Sequence, residues 1–139
     1  MKISVYTDGA SRKNPGESAS GYLIRFEKEE ILECFYNGKK TNSEAEYIAV
    51  ILAFKKINSL NIGEKEVFLY SDSEFMINQL KGIYKIRKPE LRQFYEEVIS
   101  ISKNFSLCTY EALQREDKNI SAVDYNLNRL LDKMENNKK

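Results

Sequence analysis

With 139 residues, of which 42% are hydrophobic and 31% charged, the chain has the make-up of one ordinary soluble domain over 1–139, able to bury a core without metal or disulfide staples. Its formal net charge of +1 excludes a protein that holds nucleic acid by global basicity and leaves only a local patch for that purpose. No apolar run approaches the roughly 20 residues of a membrane-spanning helix and no signal-like stretch opens the chain, so a cytoplasmic location is expected, while two cysteines, Cys34 and Cys108, without any histidine exclude an ordinary zinc site.

In chain order, Lys2 to Thr7 alternates as a strand and stops at Asp8-Gly9, a turn pair. Residues 10–18, with Asn14-Pro15-Gly16, read as a polar loop, and two further strands follow, about 19–27 and 30–36, as antiparallel partners of the first. From Asn42 the period becomes helical, Ala45, Ile48, Ala49, Leu52 and Ala53 recurring at i, i+3, i+4, until Asn61-Ile62-Gly63 stops it. The apolar run Val67 to Ser71 suits a central strand covered on both faces. Helices are expected from Ser73 to about Lys81 and from Pro89 to about Lys103, then a strand over 105–113 and a last helix from Ser121 to about Met134, with a frayed tail at 135–139.

The order β-β-β-α-β-α-α-β-α predicts an α/β fold: one mixed five-stranded sheet flanked by helices, with a helical crossover that allows the first and fourth strands to pair in parallel. Each of those two strands ends in an aspartate, Asp8 and Asp72, so both carboxylates would emerge at one sheet edge, where open α/β sheets carry their chemistry. Glu46 lies at the border of the apolar stripe one turn into the first long helix, and Asp124 is expected in the first turn of the last one.

Each acid has a plainer reading. Ser43-x-x-Glu46 and Ser121-x-x-Asp124 both fit a capping box, Asp72 fits an N-cap, and Asp8-Gly9 fits a turn. Their coincidence at one edge favours a cluster, because gathered like charges are costly unless cations neutralise them. An all-oxygen donor set suits Mg²⁺ or Mn²⁺, and two such ions about 3.5–4 Å apart can drive in-line phosphodiester displacement. Lys81, Lys85, Arg87 and Lys88, interleaved with Tyr84, form either a solvated loop or a local basic grip.

The segments Tyr6-Thr7-Asp8-Gly9-Ala10-Ser11 with Asn14-Pro15-Gly16, Thr41 to Tyr47, Ser71-Asp72-Ser73, and Asn119 with Ala122 and Asp124 together resemble type 1 ribonuclease H over nearly the whole chain. That resemblance implies the ribonuclease H-like fold and endonucleolytic hydrolysis of the RNA strand of RNA–DNA hybrids, leaving 5′-phosphate and 3′-hydroxyl ends. It implies metal-binding catalytic acids at Asp8, Glu46, Asp72 and Asp124, with two Mg²⁺ ions that Mn²⁺ can replace. Hybrid contacts are implied at Gly9, Asn14, Thr41, Asn42 and Ser43, where the 2′-hydroxyl distinguishes RNA from DNA. It also lifts Lys85, Arg87 and Lys88 to candidate substrate-binding residues.

The chain departs from the family in three places. The loop before the last aspartate lacks the family's histidine and offers Glu116, Asp117 or Lys118 instead; Asn119 to Asp124 is one residue longer than the family spacing; and Gly82 to Pro89 is too short for a basic helical protrusion. No separate hybrid-binding domain is expected, and a monomer is. The competing readings are an exonuclease of the same fold, which would carry Asp-x-Glu where this chain has Asp8-Gly9-Ala10, and a non-catalytic hybrid-binding module, which would lack one of the four acids.

Overall fold

In a computed structural model that describes residues 1–137, the chain forms β1 (Lys2–Ser11), β2 (Gly16–Phe26), β3 (Glu29–Lys40), α1 (Asn42–Ser59), β4 (Glu66–Ser71), α2 (Glu74–Leu80), α3 (Pro89–Ser102), β5 (Leu107–Ala112) and α4 (Lys118–Asn137). The five strands make one sheet in the order β3-β2-β1-β4-β5, antiparallel among β1, β2 and β3 and parallel from β1 through β4 to β5. The predicted element order and mixed sheet are therefore present. Among the described residues no helix is long and apolar enough to cross a membrane.

Helix α1 packs on β1 and β2 with α3 beside it, and the larger apolar core lies there: Ile3, Val5, Tyr47, Val50, Phe54, Ile57 and Leu69 are almost wholly buried. Helix α4 covers the opposite face of β1, β2 and β3 through Val123, Leu127 and Leu131, which meet Ala19 and Leu23. At the burial these side chains reach, each is worth roughly 1.5–3 kcal/mol of transfer free energy. They fix which ends of the helices lie over the sheet edge.

Several boundaries differ from the sequence reading. β1 runs through Asp8-Gly9 to Ser11 and β2 starts at Gly16, so the expected loop at 10–18 shrinks to four residues, 12–15. Asp8 pairs with Gly21 inside the ladder, where cross-strand bonding overrides the local turn preference. β3 likewise extends from Glu29 to Lys40.

Strand β4 is not covered on both faces. Val67, Leu69 and Ser71 are buried while Glu66, Phe68 and Tyr70 are half-exposed, because α4 lies over β1 to β3 rather than over β4. Helix α4 begins three residues before Ser121, since the Asp117 carboxylate accepts the Asn119 and Ile120 amides at 2.9 and 3.2 Å. Asp124 is thus nearly two turns into the helix, not in its first turn. The helix continues through Glu135 to Asn137, which corrects the frayed tail for those residues, and Lys138 and Lys139 lie outside the described ones.

Candidate active site

The parallel register of β1 and β4 ends at the pair Thr7 and Ser71, so Asp8 and Asp72 each stand one residue beyond it on the same sheet edge. Glu46 is brought there by a close approach of backbones. A Cβ on Gly9 would lie 2.4 Å from the Ala45 carbonyl carbon and oxygen and 2.6 Å from the Glu46 nitrogen, so only glycine lets α1 come this near β1. Gly21, the partner of Asp8, does the same for the other face: its Cβ would meet Cys34 Sγ at 2.6 Å and Val123 Cγ1 at 3.1 Å, which seats α4 with Asp124 over the edge.

The four acids therefore line one cleft of about 340 Å³, together with Gly9, Ala10, Asn42, Ser73 and Arg115. None of them serves the cap or turn that the sequence also allowed. The N-cap of α1 is Thr41, in a reciprocal capping box with Glu44 rather than Glu46. Helix α2 is capped by Ser73, not Asp72, and α4 by Asp117, leaving Ser121 inside the helix with its hydroxyl on the Arg115 carbonyl.

The electrostatics bear the marks of crowding. Asp8, 8% exposed, has its carboxyl raised far above the usual range, first by burial, then by the charge of Asp72 and by a hydrogen bond and charge from Asp124, with Glu46 adding less. Glu46 is raised to about 7 by burial, with the Ser73 hydroxyl pulling it down and Asp72 pushing it up. Asp72 is raised by burial while the Arg115 guanidinium opposes the shift.

As the side chains stand, no three His, Cys, Asp or Glu groups among the described residues are arranged to hold one ion. The acids crowd one another instead, the Asp124 side chain standing against Asp8 and the Ser73 hydroxyl against Glu46. That arrangement fits a hard cation held by one or two carboxylates with water or phosphate oxygens completing its shell, the habit of Mg²⁺. It also fits the donor chemistry, four carboxylates whose mutual repulsion a cation would relieve.

The expected substrate contacts divide between two places. Gly9 and Asn42 line the acid cleft, and Asn14 is tied to it, its Oδ1 accepting the Asn42 amide at 3.0 Å while Asn42 Oδ1 accepts the Ser11 amide at 2.8 Å. The Thr41 hydroxyl is engaged in capping. Ser43 instead joins Lys85, Arg87 and Lys88 along a second cleft of about 550 Å³, with Phe75, Gln79, Tyr84 and Leu91. The Phe75 and Tyr84 rings lie 5.6 Å apart there and both are exposed.

Two residues escaped the sequence reading. Phe75 is one; its signal is an aromatic at a position of α2 that is off the buried stripe of Met76, Ile77 and Leu80. Arg115 is the other. Of the loop alternatives, Asp117 is occupied by capping, Lys118 opens α4, and Glu116 lines a neighbouring hollow with Asp72, whereas Arg115 lines the acid cleft itself. Nothing in the loop's local sequence separates Arg115 from its neighbours.

A model of the family described as RNase H matches residues 1–124. The bifunctional protein Rv2228c of Mycobacterium tuberculosis (strain ATCC 25618 / H37Rv) is 26% identical over 118 residues, covering 83% of this chain and 32% of that protein, so this chain spans about a third of that relative. The crystal structure of RNase H1 from the halophilic archaeon Halobacterium salinarum NRC-1 superposes with a TM-score of 0.87 at 27% identity, covering 96% of this chain and 99% of the other. LC11-RNase H1, solved in complex with an RNA/DNA hybrid, superposes at 0.80 and 27% identity over 93% of this chain and 99% of that one.

Proposed function

From a chain that belongs to the RNase H family, we propose a metal-dependent endoribonuclease that hydrolyses the RNA strand of RNA–DNA hybrids and leaves 5′-phosphate and 3′-hydroxyl ends. The observation that carries this reading is that four carboxylates from four different elements line one cleft while other residues do the capping around them.

Asp8, Glu46, Asp72 and Asp124 would hold two Mg²⁺ ions, or Mn²⁺ in their place. When bound, these supply an activated water and charge stabilisation for the departing 3′-oxygen. Asp8, which stands beside both Asp72 and Asp124, would be central to holding the ions. Ser73 keeps Glu46 oriented by donating its hydroxyl, and Arg115 offers a guanidinium at the cleft wall for a phosphate oxygen.

Gly9, Asn14, Thr41 and Asn42 present short polar groups and backbone about the acid cleft, and Ser43 does so in the adjoining second cleft, all suited to 2′-hydroxyls in a shallow minor groove. Lys85, Arg87 and Lys88 hold the backbone of the hybrid in the second cleft, beside the exposed rings of Phe75 and Tyr84. The protein acts as a monomer in the cytoplasm on this reading.

The test is incubation of the purified protein with end-labelled hybrid, single-stranded RNA, duplex RNA and duplex DNA, in Mg²⁺, Mn²⁺ or EDTA, beside Asp8→Asn. Metal-dependent internal cuts in the RNA of the hybrid alone, lost in the variant, are expected. Binding of hybrid without cutting in either metal would replace this reading by a binding module, and end-wise trimming of single strands by an exonuclease.

A further inference from the structure

The loop between β1 and β2 is pinned at both ends to the helices that carry acids. On one side Asn14 and Asn42 lock it to the start of α1. On the other, Arg12, whose own amide donates to the Glu17 carbonyl at 2.8 Å across the loop's neck, reaches over to α4. Its Nη2 donates to the Asn128 carbonyl at 3.0 Å and to Asp132 Oδ1 at 2.7 Å, with Asn128 Oδ1 at 3.4 Å, and Nη1 donates to Glu135 Oε1 at 3.1 Å.

Asn128 in turn donates Nδ2 to Asp124 Oδ1 at 3.1 Å and to the Asp124 carbonyl at 2.9 Å. A guanidinium on its amide oxygen leaves that amide only one sensible orientation, with the NH₂ toward Asp124. Arg12's carboxylate partners are substantially exposed, and exposed ion pairs contribute little to stability. What a forked donor with four partners supplies here is geometry.

We propose that Arg12 is a positioning residue for Asp124: it fixes the Asn128 amide that orients the Asp124 carboxylate, and so joins the Asn14 loop to that ligand, linking hybrid contact to metal affinity. The inference rests on the proposed function for the roles of Asn14 and Asp124. Neither Arg12 nor Asn128 need touch substrate or cation. A partner that orients a ligand acts on affinity more than on the saturated rate.

The experiment measures Mn²⁺ affinity of the free protein by electron paramagnetic resonance, alongside hybrid cleavage, for wild type, Arg12→Ala, Arg12→Lys, Asn128→Ala and the Arg12→Ala/Asn128→Ala pair, with thermal midpoints confirming folding. Arg12→Ala and Asn128→Ala should each weaken Mn²⁺ by about three- to ten-fold, and the pair by no more than the stronger single change, because both cut one path. Arg12→Ala should also raise KM for the hybrid while kcat at saturating Mn²⁺ stays within about two-fold. Arg12→Lys keeps a cation near Asp132 and Glu135 but cannot serve Asn128 as well, so it should fold with the midpoint of wild type and not recover the Mn²⁺ affinity.

Mn²⁺ affinity within two-fold of wild type in Arg12→Ala, additive losses in the pair, or full rescue by lysine would each overturn the positioning role. A wild type that binds Mn²⁺ with these variant losses but cuts no hybrid would support the positioning and sink the functional reading beneath it; a wild type that binds no Mn²⁺ would sink both.

Discussion

Gly9 of β1 lies directly against the backbone of Ala45 on α1, so close that a methyl group in place of its hydrogen would stand 2.4 Å from the Ala45 carbonyl. Neither neighbour is a flexible side-chain tip that could swing away. Gly9→Ala must therefore push strand and helix apart, and overpacking of this kind costs about 1–3 kcal/mol. Urea unfolding should show that loss. Cleavage of the hybrid should fall more than the stability loss alone explains, since Glu46 moves away from Asp8; a variant with wild-type cleavage would mean that the close approach does not position Glu46.

Proton linkage at the crowded acids gives a second expectation, with a definite sign. Glu46 and Asp8 hold their protons in the folded chain to about pH 7 and beyond, whereas in the unfolded chain they lose them in the ordinary carboxylate range. Between those limits the folded state binds more protons, so this contribution to stability is complete in acid and is lost as the pH rises. In EDTA the thermal midpoint should decline from roughly pH 5 to pH 8, and Asp8→Asn should raise it at neutral pH by roughly 3–8 °C while abolishing cleavage. Excess Mg²⁺ should lift the wild type and leave Asp8→Asn almost unmoved. A wild-type midpoint that ignores both pH and Mg²⁺ would contradict the crowding.

How much of this was legible in the sequence can be judged residue by residue. The apolar runs ending in Asp8 and Asp72 pointed to the parallel pair and the shared edge, because burial and strand period are encoded locally. The ends of elements were harder to read: Asp8-Gly9 has turn chemistry yet sits within β1, and Asp117 and Ser121 are both competent caps, of which the fold uses the first. Arg115 was illegible for another reason, since which side chain of a loop faces a cleft depends on packing against residues far away in sequence, whereas Phe75 carried a signal in standing off the buried stripe of α2.

The basic cleft yields a third expectation. Replacing Lys85, Arg87 and Lys88 together with alanine should weaken hybrid binding at low salt and flatten its dependence on log salt by about 0.7–0.9 for each phosphate that is no longer neutralised. The rate at saturating hybrid should hardly change. Measuring binding across a salt series decides it, because an unchanged slope would make these side chains a solvated loop.

Thr7 offers a test that bears on stability alone. Its hydroxyl oxygen is fully buried beside Asp8 and has no hydrogen-bond partner among the described residues. Thr7→Val keeps the shape and removes the desolvated oxygen, so stability should rise by about 1 kcal/mol in urea unfolding. A decrease of similar size would mean that the hydroxyl is satisfied in solution.

Asn42 and Ser43 are neighbours in the first turn of α1, yet the first lines the acid cleft and the second the basic one. One peptide unit, held rigid by the Thr41–Glu44 capping box, therefore spans from the acid cleft to the basic one. On the proposed reading the helix start is a molecular ruler: the bond that breaks lies at a constant nucleotide offset from the phosphate that is held, whatever the base sequence, and that offset is set by one turn of helix.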